Sequence, residues 1–255
     1  MKTPIALQDY HPTHTALAGR VVLITGAGQG LGKAIALACA AHGASLILHG
    51  RNIAKLEKTY DDIVAANHAT AAIAPLDFAT ASDQDYENIA QTIGHEFGRL
   101  DGVVHCAAAL QRLQPLAQER LDDWLVSLRV NLAAPFALTR ACLPLMRRGR
   151  DASVIFTSES HGVHPAAYWG GFAVAKSGLA ALLKIWADEL AGSTNLRMNL
   201  VVPGPMQSPQ RALTHPGEDK HKLPTPEQLL PAYLYLLGPD SKGVSGKVMQ
   251  LQQQT

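Results

Sequence analysis

The stretch "TGAGQGLG" (25–32) constrains this chain more than any other. It follows "VVLIT" (21–25), a β-branched run that suits a buried strand, and it opens "KAIALACAAHG" (33–43), which has helical periodicity and ends in a glycine suited to a C-cap. Glycines at 26, 30 and 32 let the backbone turn sharply and let a ligand approach the main chain closely. They also bring the helix N-terminus, with its unpaired N–H groups, toward a phosphate. A tight turn alone would also use glycine. The position after the first strand and before the first helix is what a dinucleotide cradle requires.

The rest of the chain alternates in the same way. Strands are expected at 45–50, within 70–78, within 100–108, at 153–158, 196–204 and 246–252. Helices are expected at 53–67, 86–98, about 121–147, about 172–190 and 226–238. Such alternation implies crossover connections and a parallel sheet covered on both faces. No linker, repeat or low-complexity segment divides it. The expectation is one α/β domain over 19–255, a doubly wound, Rossmann-like parallel sheet of about seven strands, preceded by a polar extension over 1–18 that is either frayed or docked.

A net charge of +1 gives no reason to expect a nucleic acid or an anionic membrane as partner. No apolar run reaches the length of a transmembrane helix, and the first twenty residues carry no signal-peptide core. Cys39, Cys106 and Cys142 lie far apart without metal or redox spacing, so no metal site is expected, and reduced thiols in the cytoplasm are.

The pattern T-G-x-x-x-G-x-G, with the order of elements from about Leu17 to Leu251, resembles the short-chain dehydrogenase/reductase family. The resemblance implies a dinucleotide held by Thr25, Gly26, Gly30, Leu31 and Gly32, by Asp77 near the adenine, by Lys176 on the nicotinamide ribose, and by Pro203 and Gly204 in "PGP" (203–205). For Asp77 a capping role at the next helix stays open. The second strand ends "LHGRN", with no acid to receive a ribose 2′-hydroxyl and with Arg51 suited to a 2′-phosphate, so NADP(H) is expected over NAD(H).

The family's chemistry usually joins a tyrosine, a serine, a lysine and an asparagine. Lys176 in "AKSG" matches the lysine, and Asn131 in "VNLAAPF" matches the asparagine, which is also readable as a helix-interior Asn bonded to local backbone. Pro135 lacks an N–H, so in a continuous helix the carbonyl of Asn131 is free to hold a water. The tyrosine position, four before Lys176, is Phe172, and the serine position is Glu159 in "FTSESHG". After the fourth strand Cys106-Ala107-Ala108 stands where N-A-G is usual. A lysine one helical turn from a phenylalanine has lost its expected proton-carrying neighbour. Tyr168, Glu159, Ser158, Ser160, His161 and His164 are the nearby candidates to replace it, each also readable as an ordinary loop residue.

Two functions therefore stay open. One is an oxidoreductase acting on a small carbonyl or alcohol through a non-standard site. The other is a catalytically silent NADP-binding protein that senses cofactor or serves as a partner subunit. The resemblance also implies a homodimer or homotetramer through the helices that carry Asn131 and Lys176, and a substrate lid between Pro205 and Pro224.

Overall fold

The computed structural model describes residues 7–66, 70–193 and 195–252. The first six residues of the expected extension, and Asn67 at the expected end of the second helix, lie outside this range. Seven strands form one parallel sheet: β1 (Val21–Thr25), β2 (Ser45–Gly50), β3 (Ala71–Pro75), β4 (Gly102–His105), β5 (Ala152–Thr157), β6 (Leu196–Val202) and β7 (Lys247–Gln250), in the order β3-β2-β1-β4-β5-β6-β7. β1, β4, β5 and β6 are buried along their whole length. This explains their unbroken apolar runs, since both faces are covered by helices.

α3 (Asp83–Phe97), α5 (Ala134–Arg147) and α7 (Gly170–Glu189) bury Ile93, Leu138, Met146, Leu179 and Leu183 against one face, with Leu23, Val154 and Phe156 of the sheet. α1 (Gly30–Ala41), α2 (Ile53–Ala65) and α9 (Leu230–Leu237) bury Ile35, Leu56, Ile63 and Leu236 on the other, with Val22, Ile24 and Ile155. The near end of the expected extension is docked. Leu17 is fully buried in this second core, and Tyr10 packs edge-on against Tyr235 while its hydroxyl donates to Asp240 at 2.9 Å.

The expected helix over 121–147 consists of α4 (Leu121–Leu128), a π-helical turn (Arg129–Ala133) and α5. Two short helices, α6 (Ser160–Val163) and α8 (Pro209–Thr214), fall in segments read as loops. Strand order reverses between β1 and β4. The crossovers from these neighbours leave in opposite directions, opening a crevice at the carboxyl ends of the strands.

Candidate functional site

A cavity of about 370 Å³ fills that crevice, from Arg51 at one end to Lys176, Phe172 and Glu159 at the other. The glycine turn forms its floor. Gly26 and Gly30 have positive φ, 70° and 55°, which only glycine adopts without strain. A Cβ on Gly26 would lie 2.9 Å from the amide nitrogen of Ala107, and one on Gly32 would collide with the carbonyl oxygen of Gly26. Thr25, at the end of β1, accepts hydrogen bonds on Oγ1 from the amides of Cys106 and Ala107, both at 3.0 Å, so one hydroxyl stitches the two turns that flank the switch point. The N-cap of α1, Gln29, makes no side-chain capping bond, so the first turn of the helix has no capping side chain on the cavity side. Leu31 is buried behind it.

At the Arg51 end the guanidinium is exposed and makes no hydrogen bond or ion pair among the described residues. Asn52 caps α2 by accepting from the Lys55 amide at 3.0 Å, and both residues line the cavity. The Lys55 ammonium reaches across to the Gln29 side chain. Asp77 lines the same end and accepts from the Ala79 amide at 3.0 Å. The next helix is capped by Ser82 instead, so Asp77 does not cap it. Sequence reasoning missed His49. Its ring stacks on Phe78 at 4.2 Å, lines the cavity and leaves both nitrogens without a partner, and burial pushes its pKa down to about 4. The signal was a lone imidazole in the otherwise apolar "SLILHG".

At the other end Lys176, on the inner face of α7, donates from Nζ to the carbonyl oxygen of Thr157 at 2.9 Å. Burial pushes its pKa down to about 8, with Cys106 and Glu159 pulling it back up. The Phe172 ring, one turn earlier and buried, has its centroid 5.8 Å from Nζ. Ser158 donates to the main-chain carbonyl of Lys176 at 3.2 Å, and the Thr157 hydroxyl sits between Cys106 Sγ at 3.3 Å and the buried Tyr233 hydroxyl at 3.2 Å. Burial raises the Tyr233 and Cys106 pKa values, the thiol to about 11.

Glu159 ends this strand-to-helix junction and caps α6. Its carboxylate accepts from the His161 amide at 2.7 Å and lies 2.9 and 3.1 Å from His161 Nδ1. The His161 ring stacks on Trp169 at 3.8 Å, and Trp169 lines the cavity beside Phe172. Ser160 is buried in α6, and His164 is exposed at its C-cap. Tyr168 is not brought into the cavity lining. It is exposed, precedes α7, and holds φ at 75°, an uncommon value for a residue with a side chain. Glu119, which sequence reasoning missed, accepts from the Gly171 amide at 3.0 and 3.2 Å and so holds the start of α7.

Asn131 sits in the π turn, fully buried. Nδ2 donates to the carbonyls of Ala109 at 2.8 Å and Ser127 at 2.9 Å, and Oδ1 accepts from the Ala109 amide at 3.1 Å. Both amide hydrogens are thus spent on backbone, one local and one on the loop after β4. The Ala134 amide bonds the Arg129 carbonyl, five residues back, so counting four back from Pro135 to Asn131 does not settle which carbonyl the proline frees. Pro203 and Gly204 line the cavity, and Gln252 donates to the Pro203 and Pro205 carbonyls at 2.7 and 2.9 Å, fixing the turn after β6.

The residues present fit a phosphorylated dinucleotide. An uncapped helix N-terminus lies between an arginine without a partner among the described residues and a buried lysine, and His49, whose buried ring nitrogens have no partner among the described residues, lines the same cavity. Among the described residues no group of His, Cys, Asp and Glu side chains is arranged to hold a metal ion, and no helix is long and apolar enough to cross a membrane.

The chain belongs to the short chain dehydrogenase family, whose sequence model matches residues 20–219. A short chain dehydrogenase from Pseudomonas syringae is 43% identical and superposes with a TM-score of 0.93, covering 96% of this chain and 99% of the other. The oxidoreductase YciK of Escherichia coli K12 is 35% identical over 95% of this chain and 96% of its own. A short chain dehydrogenase from Escherichia coli CFT073, solved as a complex with NADPH, is 35% identical with a TM-score of 0.90, covering 95% of this chain and 100% of its own.

Proposed function

We propose that the protein is an NADP(H)-dependent oxidoreductase that moves a hydride to an unsaturated carbon of a small molecule, or back from the saturated carbon of the reduced product, of the carbonyl or alcohol type that the family resemblance implies. The observation that carries this reading is the continuity of the cavity. One space connects the unpaired Arg51 guanidinium, the open start of α1 and the buried Lys176 ammonium. Arg51 and Lys55 would hold a 2′-phosphate, the first turn of α1 the pyrophosphate, and Lys176 the nicotinamide ribose. The NADPH found with the 35% identical relative supports the same choice of dinucleotide. When bound, the nicotinamide supplies the hydride. The protein's part is to bind, to orient and to exclude water.

The reaction end departs from the usual acid–base set, because Phe172 and Glu159 stand where a phenol and a hydroxyl would work. Of the groups that line the cavity here, Lys176, with its pKa near 8, remains able to give up a proton at neutral pH. Calorimetric titration with NADPH and NADH, followed by NADPH oxidation on a panel of small molecules, tests the assignment. Tight NADPH binding with no turnover on any panel member would leave a cofactor sensor in its place. Phe136 and Ile185, exposed on α5 and α7, suit the pairing of these helices across a two-fold axis, which light scattering on the purified chain would show as a dimer or tetramer.

A further inference from the structure

At the reaction end the cavity wall combines a carboxylate with two aromatic side chains: Glu159, Trp169 and Phe172 all line it. The carboxylate is held in place. The His161 amide and ring fix both of its oxygens, and that ring is itself clamped flat against the indole of Trp169 at 3.8 Å. The hydroxyls at the end of β5 are committed elsewhere. Ser158 donates to the Lys176 carbonyl, and the Thr157 hydroxyl is shared with Cys106 and Tyr233. Arg211, which also lines the cavity, is held by Glu218 through two bonds of 2.6 and 2.7 Å. Lys176 spends one of its three ammonium donors on the Thr157 carbonyl. This wall is poorly suited to a carbonyl oxygen, which becomes an alkoxide as hydride arrives. The alkoxide would meet a fixed carboxylate and find neither a phenol nor a free hydroxyl on β5. A carboxylate beside aromatic faces is instead suited to a cation.

We propose, resting on the oxidoreductase reading above, that the unsaturated substrate is a protonated imine and the reduced product a secondary or primary amine. The bookkeeping of the step closes without a proton donor. The iminium carbon accepts a hydride with its electron pair, and a C–H bond forms. The π pair of the C=N bond moves onto nitrogen, which becomes a neutral amine, and the positive charge passes to the oxidised nicotinamide. No proton moves, so the absence of a phenol at position 172 costs nothing. Glu159 faces the iminium charge before transfer and a neutral amine after it. For a ketone in the same place the phenol and the oxyanion donor are both missing, each worth about 10² or more in rate, which leaves Lys176 as the acid.

The test uses the full-length protein with NADPH, methylpyrroline as the cyclic imine and cyclopentanone as the matched ketone. The imine's kcat/KM is expected to exceed the ketone's by about 10² or more. Glu159→Gln keeps the shape of the side chain. It is expected to lower kcat/KM on the imine by about 10-fold or more, as the loss of one charge-assisted contact does, while NADPH affinity by calorimetry stays the same. A readout without turnover accompanies this: protonated methylpyrrolidine should bind more tightly than cyclopentanol, and the preference should vanish in Glu159→Gln. If the ketone is reduced as fast as the imine, or if Glu159→Gln leaves both the imine rate and the amine preference unchanged, the iminium assignment is wrong while the oxidoreductase reading stands. If NADPH binds and the imine is not reduced, the iminium assignment is likewise wrong; if NADPH does not bind, the oxidoreductase reading fails and takes this inference with it.

Discussion

The hydroxyl of Thr25 offers the sharpest test of how the cavity floor is held. Thr25 is fully buried at the end of β1, and its Oγ1 is the acceptor for two amides of the neighbouring turn, Cys106 and Ala107, each at 3.0 Å. Thr25→Val keeps the branched shape and removes that acceptor. Two part-buried amides in the turn packed against Gly26 are then left without a protein partner. A buried donor left unpaired costs about 1–3 kcal/mol; these two are part-buried and line the cavity, where water relieves part of the loss, so together they should cost about 1–3 kcal/mol. Thr25→Ser retains the acceptor and removes only a methyl, which should cost about 1 kcal/mol. Urea unfolding monitored by circular dichroism gives both numbers, and calorimetry on the same samples gives NADPH affinity, which should fall in the valine variant and hold in the serine variant. A valine variant within about 0.5 kcal/mol of the natural chain, which is the scatter of an inert surface change, would show that the turn is positioned by the sheet alone. A serine variant as unstable as the valine one would assign the effect to the methyl.

Other outcomes follow from the same geometry. Arg51→Ala should cost NADPH about 10-fold or more in affinity and leave NADH nearly unchanged, because the guanidinium has no partner to lose among the described residues; calorimetry with both cofactors measures it. Lys176 has its pKa lowered from an ordinary 10.5 to about 8 by burial, so between these values the unfolded chain binds more protons than the folded one and stability rises with pH. Relative to Lys176→Met, the natural chain should therefore gain up to ~3 kcal/mol as pH climbs through that window, and gain nothing below it; urea titrations across the window, with the two chains running parallel throughout, would count against the buried charge. Finally, Phe172→Tyr combined with Glu159→Ser should gain NADPH-dependent ketone reduction beyond the sum of the single changes, since both groups would act on one oxygen. Initial rates on cyclopentanone for the four proteins decide it.

The fold was readable because burial and periodicity agreed. "VVLIT" and "SVIFTS" lie on both-face-buried strands, and every crossover between consecutive strands carries helical sequence between them. Where local sequence and tertiary packing part, the reading slipped. The π turn at Arg129–Ala133 has no compositional mark. It is fixed by Asn131, whose side chain spans from Ser127 to the loop at Ala109, a contact 22 residues away along the chain. α6 is a single turn capped by Glu159, a residue type seldom expected at a cap, and only the fold of the carboxylate back onto the His161 amide reveals it.

The site was readable in its residue types and unreadable in its pairings. The glycine turn, Arg51 and Lys176 line the same cavity, as the motif spacing requires. Yet the question that the sequence poses about Lys176, a lysine on an apolar helix face beside a phenylalanine, has an answer no side-chain pattern could supply. Its partner is the main-chain carbonyl of Thr157, one strand away, at 2.9 Å. Any residue at position 157 would offer that oxygen. A single carbonyl satisfies one of the three ammonium donors and brings no countercharge, which is why burial dominates and the pKa falls. The nearest negative charge felt by the lysine from a carboxylate comes from Glu159, whose position depends in turn on His161 and, through stacking, on Trp169. Phe172 then needs no proton of its own to be informative. It fills the space beside the ammonium, keeps water from solvating it, and so helps to hold Lys176 near the midpoint of its titration at neutral to mildly basic pH. The lysine's acidity is thus set by groups that are distant in sequence and by one oxygen that is anonymous in it.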